Sequence, residues 1–223
     1  MRTLYHLVLS PFSRKVRVAL REKELDFELC MEKVWERRPD FLALNAAGTV
    51  PVLVDENGTT IADSGAICEY LEEVYPKERN LLGERPAERA EVRRLVAWFD
   101  QKFAREVTDN LYREKMMKRF LGLGEPNSSA IRAGVQNIRY HLDYIGWLTE
   151  RRKFLAGDKY SLADIAAATH LSCLDYIGDV PWDQHAKAKD WYARIKSRPA
   201  FRPLLADVIA GKPPPRHYAD LDF

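Results

Sequence analysis

The chain has 223 residues, 46% of them hydrophobic, enough for one large or two small globular domains. Its 35 basic and 33 acidic residues leave a net charge of +2, which marks no nucleic-acid partner. No apolar run approaches the ~18 residues of a membrane span, there is no signal-peptide profile, and Cys30, Cys68 and Cys173 form no CxxC pair; a cytoplasmic protein with free thiols and no membrane insertion is expected.

Thr3 to Leu9 alternates as a first strand does. Ser10-Pro11 then offers a helix cap with proline at the first helical position. Val16, Ala19 and Leu20 make an apolar stripe, which predicts Arg14, Lys15, Arg17, Arg21 and Glu22 facing solvent. Asp26 to Met31 reads as a second strand, Glu32 to Asp40 as a charged loop around Trp35, and Phe41 to Leu44 as a short helix ended by Asn45. Pro51 to Asp55 and Thr59 to Ala62 are strands joined at Asn57-Gly58, a hairpin signal. Ser64 to Val74 is helical and Tyr75-Pro76 stops it. The order β-α-β-α-β-β-α makes an α+β unit over residues 1–77.

A linker is expected over residues 78–86, followed by an all-helical domain over 87–210. Its helices are expected at Ala87 to Leu121, Ser128 to Glu150, Ser161 to Ile177, Ala186 to Ser197 and Phe201 to Ala210. Ser161 and Asp164 have capping-box spacing, a structural signal. Residues 211–223 form a tail in which Pro213-Pro214-Pro215 forbids helix and predicts an extended run.

The stretch Gly48-Thr49-Val50-Pro51 carries the clearest binding signal. Proline is tolerated as the first residue of a strand, and an X-Pro bond is the one readily found cis. A cis Val50-Pro51 bond would turn the Val50 backbone toward an extended peptide. Ser64 suits a helix cap whose N–H groups attract a carboxylate, and Asp63 adds an acceptor for an ammonium group. For Ser10 two readings stay open: a helix cap, or a hydroxyl donating to a bound thiolate and lowering its pKa. The five histidines show no ligand spacing, so no metal site is expected. Tyr218, Leu221 and Phe223, interleaved with Asp220 and Asp222, are too apolar for a frayed end. They read as anchors on this protein's own surface or on a partner, with Trp35 as a second contact.

Ser10-Pro11-Phe12-Ser13-Arg14, Asn45-Ala46-Ala47-Gly48-Thr49-Val50-Pro51-Val52-Leu53, Ala62-Asp63-Ser64-Gly65-Ala66-Ile67 and Leu155 to Asp164 resemble, in that order, four motifs of the glutathione transferase superfamily. Ala46 stands where that family usually has proline. The resemblance implies a thioredoxin-like N-terminal domain, a helical C-terminal domain and a homodimer. It implies Ser10 as the residue that activates glutathione, Val50 as the partner of its cysteinyl backbone with Pro51 beside it in the glutathione site, and Asp63 and Ser64 as holders of its γ-glutamyl end, with glutathione as substrate and no cofactor. Val34-Trp35-Glu36 and the tail resemble a division-associated branch, whose members bind and curve filaments of the tubulin-like protein FtsZ. That branch implies residence at the division site.

Fold alone does not decide between the two activities. One expectation is a non-catalytic binder of FtsZ filaments, and the other a transferase that conjugates glutathione to small electrophiles. A disulfide reductase is disfavoured, because no cysteine lies near the Ser10 turn.

Overall fold

The computed structural model describes every residue except Lys77, Glu78, Asp222 and Phe223. The chain divides into two compact units, Met1–Leu81 and Leu82–Phe223. The first holds β1 (Arg2–His6), α1 (Pro11–Glu22), β2 (Phe27–Met31), a 3-10 turn (Val34–Glu36), α2 (Pro39–Leu44), β3 (Val52–Val54), β4 (Thr60–Ala62) and α3 (Ser64–Val74). Its four strands lie in the order β2-β1-β3-β4. β1 runs parallel to β2 and antiparallel to β3, and β4 returns antiparallel to β3. Leu4 faces Leu53 across the sheet, and both are fully buried with Val16, Leu20, Ile67 and Leu71.

β1 is shorter than its alternation predicts. The chain turns at Leu7, where Ser10 N–H donates to Leu7 C=O at 3.2 Å and Leu7 N–H donates to Ser13 Oγ at 3.3 Å. The solvent face predicted for α1 is also wrong: Arg14, Lys15, Arg17 and Glu22 are buried, and only Arg21 of that set is exposed. Arg14 shows why, since its Nε donates to Val8 C=O at 2.9 Å and holds the turn before the helix. Buried Lys23, just past the helix, pairs with Glu72 at 2.8 Å and donates to the carbonyls of Tyr75 and Arg79.

At the far end of the sheet Asp55 accepts the Tyr70 and Tyr75 hydroxyls, each at 2.7 Å, and pairs with Arg2 at 2.8 Å. Burial alone would push its carboxyl up, but the two hydroxyls, the Glu56 N–H and Arg2 outweigh it and hold Asp55 below the usual range.

The second unit is helical: α4 (Pro86–Ala97), a π-wound segment (Trp98–Met117), α5 (Lys118–Phe120), α6 (Ser128–Thr149), α7 (Leu162–Tyr176) and α8 (Ala186–Lys196). The backbone stays in the right-handed helical region through both junctions of the π segment. Here the Glu106 carbonyl accepts the side-chain amides of Asn110 (2.9 Å) and Asn137 (3.1 Å). α6 crosses the segment at Gly134, where a Cβ would lie 2.7 Å from Leu111 Cγ. Every residue of α7 is buried, as expected of the helix at the centre of a bundle. Its start carries the predicted capping box, in which Asp164 accepts from Ser161 N–H (3.1 Å), Leu155 N–H (3.0 Å) and Trp191 Nε1 (3.0 Å).

The expected helix at Phe201 to Ala210 is not formed. A single 3-10 stretch, Arg202–Ala206, ends where Asp207 turns extended (ψ 127°) ahead of the β-branched Val208-Ile209 pair. The tail does not simply extend either. Pro215 keeps a polyproline backbone (φ −63°, ψ 157°), then Arg216–Tyr218 closes a 3-10 turn that buries Tyr218 completely. Among the described residues no helix is long and apolar enough to cross a membrane.

Candidate functional site

Strand register gathers the predicted residues. Tyr5, Val52 and Ala62 form one row across β1, β3 and β4, and His6 pairs with Met31 on β2. The loop after β1 with Ser10, the turn before β3 with Val50 and Pro51, the step from β4 to Asp63, and the Trp35 turn after β2 therefore leave the same end of the sheet. This end also holds the carboxyl ends of β1 and β2, and the chain passes from β1 to β2 on one side and then to β3 on the other, the kind of switch point at which open α/β sheets hold ligands.

Ser10 caps α1, its Oγ accepting from Ser13 N–H at 3.2 Å while the residue is only 8% exposed. A hydroxyl that accepts in this way retains its own O–H for donation. The Val50-Pro51 peptide is cis. Asn45 builds the turn before it, its Nδ2 donating to Thr49 C=O at 2.8 Å and its Oδ1 accepting from Ala47 N–H at 3.1 Å. Gly48 takes φ +65°, and a Cβ there would press on Leu42 Cδ2 at 3.2 Å. Among the described residues the Val50 N–H and C=O have no hydrogen-bond partner.

The cap of α3 differs from expectation. Asp63, not Ser64, is the N-cap: its Oδ1 accepts from Gly65 N–H (2.7 Å) and Ala66 N–H (3.1 Å), and Ser64 becomes the first, buried helical residue. A carboxylate reaches two N–H groups that a serine in the next position cannot. Asp63 holds φ +75°, a region a non-glycine residue adopts at a cost of about 1–3 kcal/mol and chiefly at ligand sites. Gly65 leaves room for this, since a Cβ there would sit 3.1 Å from Asp63 Oδ1.

The Trp35 turn is tied at its base. Glu32, with a fully buried side chain, takes Arg38 NH2 at 2.5 Å and Nε at 3.3 Å, and Arg37 between them adopts φ +45°. Trp35 itself is partly exposed.

In the tail, Tyr218 is an anchor on its own unit and is not open to a partner: its hydroxyl donates to Leu204 C=O at 3.1 Å and its ring meets Tyr176 edge-on at 5.2 Å. Asp220 is exposed and Leu221 half-buried, while Asp222 and Phe223 lie outside the described residues. Sequence reasoning missed what holds the tail, namely Lys196, Asp175 and His217. Lys196 ends α8, where a cation is ordinary, so nothing local distinguished it. His141 and His170 are core residues, His141 sitting between Trp98 Nε1 and Glu106. Among the described residues no three His, Cys, Asp or Glu side chains gather as a metal site.

Known proteins match the chain in both units. The sequence model of the glutathione S-transferase N-terminal domain matches residues 9–74, and that of the C-terminal domain residues 134–199. FtsZ-localized protein A of Caulobacter vibrioides is 51% identical, over 100% of this chain and 98% of its own. Glutathione S-transferase 3 of Zea mays is 31% identical over 95% of this chain and 96% of its own. Among solved structures, a glutathione S-transferase from Rhodospirillum rubrum F11 superposes with a TM-score of 0.97 at 62% identity, each chain fully covered. FzlA from C. crescentus superposes at 0.95 with 51% identity, covering 100% of this chain and 99% of its own. With its thioredoxin-like sheet domain and helical second domain, the chain belongs to the glutathione S-transferase superfamily.

Proposed function

We propose that this protein is a non-catalytic regulator of cell division that binds FtsZ filaments and promotes their curvature, working as a homodimer at the division site. The observation that carries the reading is end-to-end likeness, tail included, to a protein named for its localisation with FtsZ. Two features support it: a Trp35 turn tied by the buried Glu32 carboxylate to an exposed Arg38, and a tail seated so that Asp220 is exposed. A homodimer is supported by the outer stripe of α6, where Tyr140 and Trp147 are exposed, Tyr144 stacks on Trp147 and Arg151 covers the Trp147 ring. Aromatic and arginine side chains of this kind dominate interfaces, and two copies give a polymer-binding protein avidity.

The test is co-sedimentation with polymerised FtsZ. The parent should pellet, and Asp220→Asn and Trp35→Ala should each pellet several-fold less, with Tm unchanged to within about 2 °C. A parent that stays in the supernatant overturns the reading, and variants that pellet like the parent remove the tail and the turn from it.

The unpartnered Val50 backbone favours a second reading, glutathione binding with Ser10 donating to the thiolate. Calorimetric titration of the parent with glutathione decides it. Heat of binding in the parent, with loss of the thiolate absorbance in Ser10→Ala, is expected; absence of heat in the parent eliminates it.

A further inference from the structure

The tail is clasped at two points. At its root the Tyr176 hydroxyl accepts from Ile209 N–H and donates to Lys212 C=O, each at 2.7 Å. Toward its tip the Lys196 ammonium donates to His217 C=O at 3.0 Å, and His217 Nε2 lies 3.0 Å from Asp175 Oδ1. Lys196 Nζ stands 4.0 Å from Asp175 Oδ2, and neither side chain has any exposure. The same carboxylate accepts from Trp182 Nε1 at 2.8 Å.

A buried lysine and aspartate are a poor choice for stability alone, because an apolar pair of similar volume is usually as stable or better. Here the ammonium reaches a main-chain carbonyl of the tail and the carboxylate reaches a tail side chain. We propose that Lys196 and Asp175 are positioning residues for partner binding: they seat the tail so that Asp220 and Leu221 are presented in one place. This rests on the filament-binding reading above. Ordering the tail beforehand spares the complex that entropy, which strengthens an otherwise weak contact.

The groups facing Lys196 are Asp175, Asp220 and Lys189, with the Tyr192 ring 5.8 Å from its Nζ. Burial lowers its pKa to about 8, with Asp175 and Asp220 opposing. Release of the tail returns the ammonium to water and toward its ordinary, higher pKa. The seated form then binds fewer protons, so seating tightens as pH rises from about 8 toward 10, by at most about tenfold per unit.

Hydrogen exchange on the full chain, alongside FtsZ co-sedimentation, tests this. In Lys196→Met the amides of residues 218–221 should exchange at least ~tenfold faster, those of α6 and α7 should be unchanged, and pelleting should fall several-fold. The parent's tail protection factors should rise from pH 8 to 10 and those of Lys196→Met should stay flat, a difference that mere structural loss does not produce. His217→Ala, at a half-exposed side chain, repeats the test without touching the buried lysine. Unchanged tail exchange in both variants overturns the clasp. Faster exchange with undiminished pelleting overturns its role in partner binding. A parent that fails to pellet overturns the filament reading and that role with it, while the exchange arm still decides whether Lys196 seats the tail.

Discussion

Asp63 does two jobs with one carboxylate: it starts α3 and holds a backbone angle of φ +75° at the ligand end of the sheet. The two contributions separate by mutation. Asp63→Ala loses the carboxylate that accepts both N–H groups and keeps the unfavourable angle the parent already carries, a loss of about 0.5–2 kcal/mol from the cap alone. Glycine loses the acceptors but tolerates the angle, so Asp63→Gly should be the milder change by about 1 kcal/mol in urea unfolding. Equal losses would show that the angle carries no strain. Ser10→Ala, with only one N–H left uncapped, should lose about 1 kcal/mol in the same assay.

Elements were more legible than their surroundings. Ser10-Pro11, the Asn57-Gly58 hairpin and the Ser161 capping box mark local chemistry, and each element starts where that chemistry puts it. What surrounds an element is a property of the whole fold. Arg14 and Lys15 read as a solvent face because charge ordinarily means water, and only the turn carbonyl at Val8 shows where Arg14 goes. Asp63 and Ser64 were both visible, but which of them caps depends on a φ that sequence does not display. Gly134 belongs to this class too. Inside a long helix it looks like a weakness, yet Gly134→Ala should cost about 1–3 kcal/mol through overpacking against Leu111; a stabilised variant in chemical denaturation would contradict the close crossing.

α4 carries a pH signature. Arg94 and then burial act in opposite senses on Glu91, and with Arg152 the cations win, holding its carboxyl at about 2. Arg94 Nε lies 2.8 Å and Arg152 NH1 2.6 Å from it. The folded pKa is below the ordinary value, so this contribution is complete above about pH 4.5 and disappears as pH falls toward 2. Glu91→Gln should flatten the acid limb of the stability profile in that window, and an unchanged limb would remove the triad from acid unfolding.

For the molecule as a whole, the tail belongs to the body of the second unit. Tyr218→Ala should cost about 3 kcal/mol and lower Tm by about 6–12 °C, in contrast to the small effect expected of Asp220→Asn, which adds no second cation beside Lys196. Cutting the chain before Tyr218 would mix lost stability with lost binding, and for that reason the surface substitution is the cleaner probe of a partner. The sheet end has a different consequence, one for inheritance. Ser10 and Asp63 hold the first turns of two helices with or without a ligand. A lineage that gave up thiol chemistry would keep both residues, because its helices would fray without them. In this scaffold the motif is a record of folding, and its survival in a descendant says nothing about whether the chemistry survived.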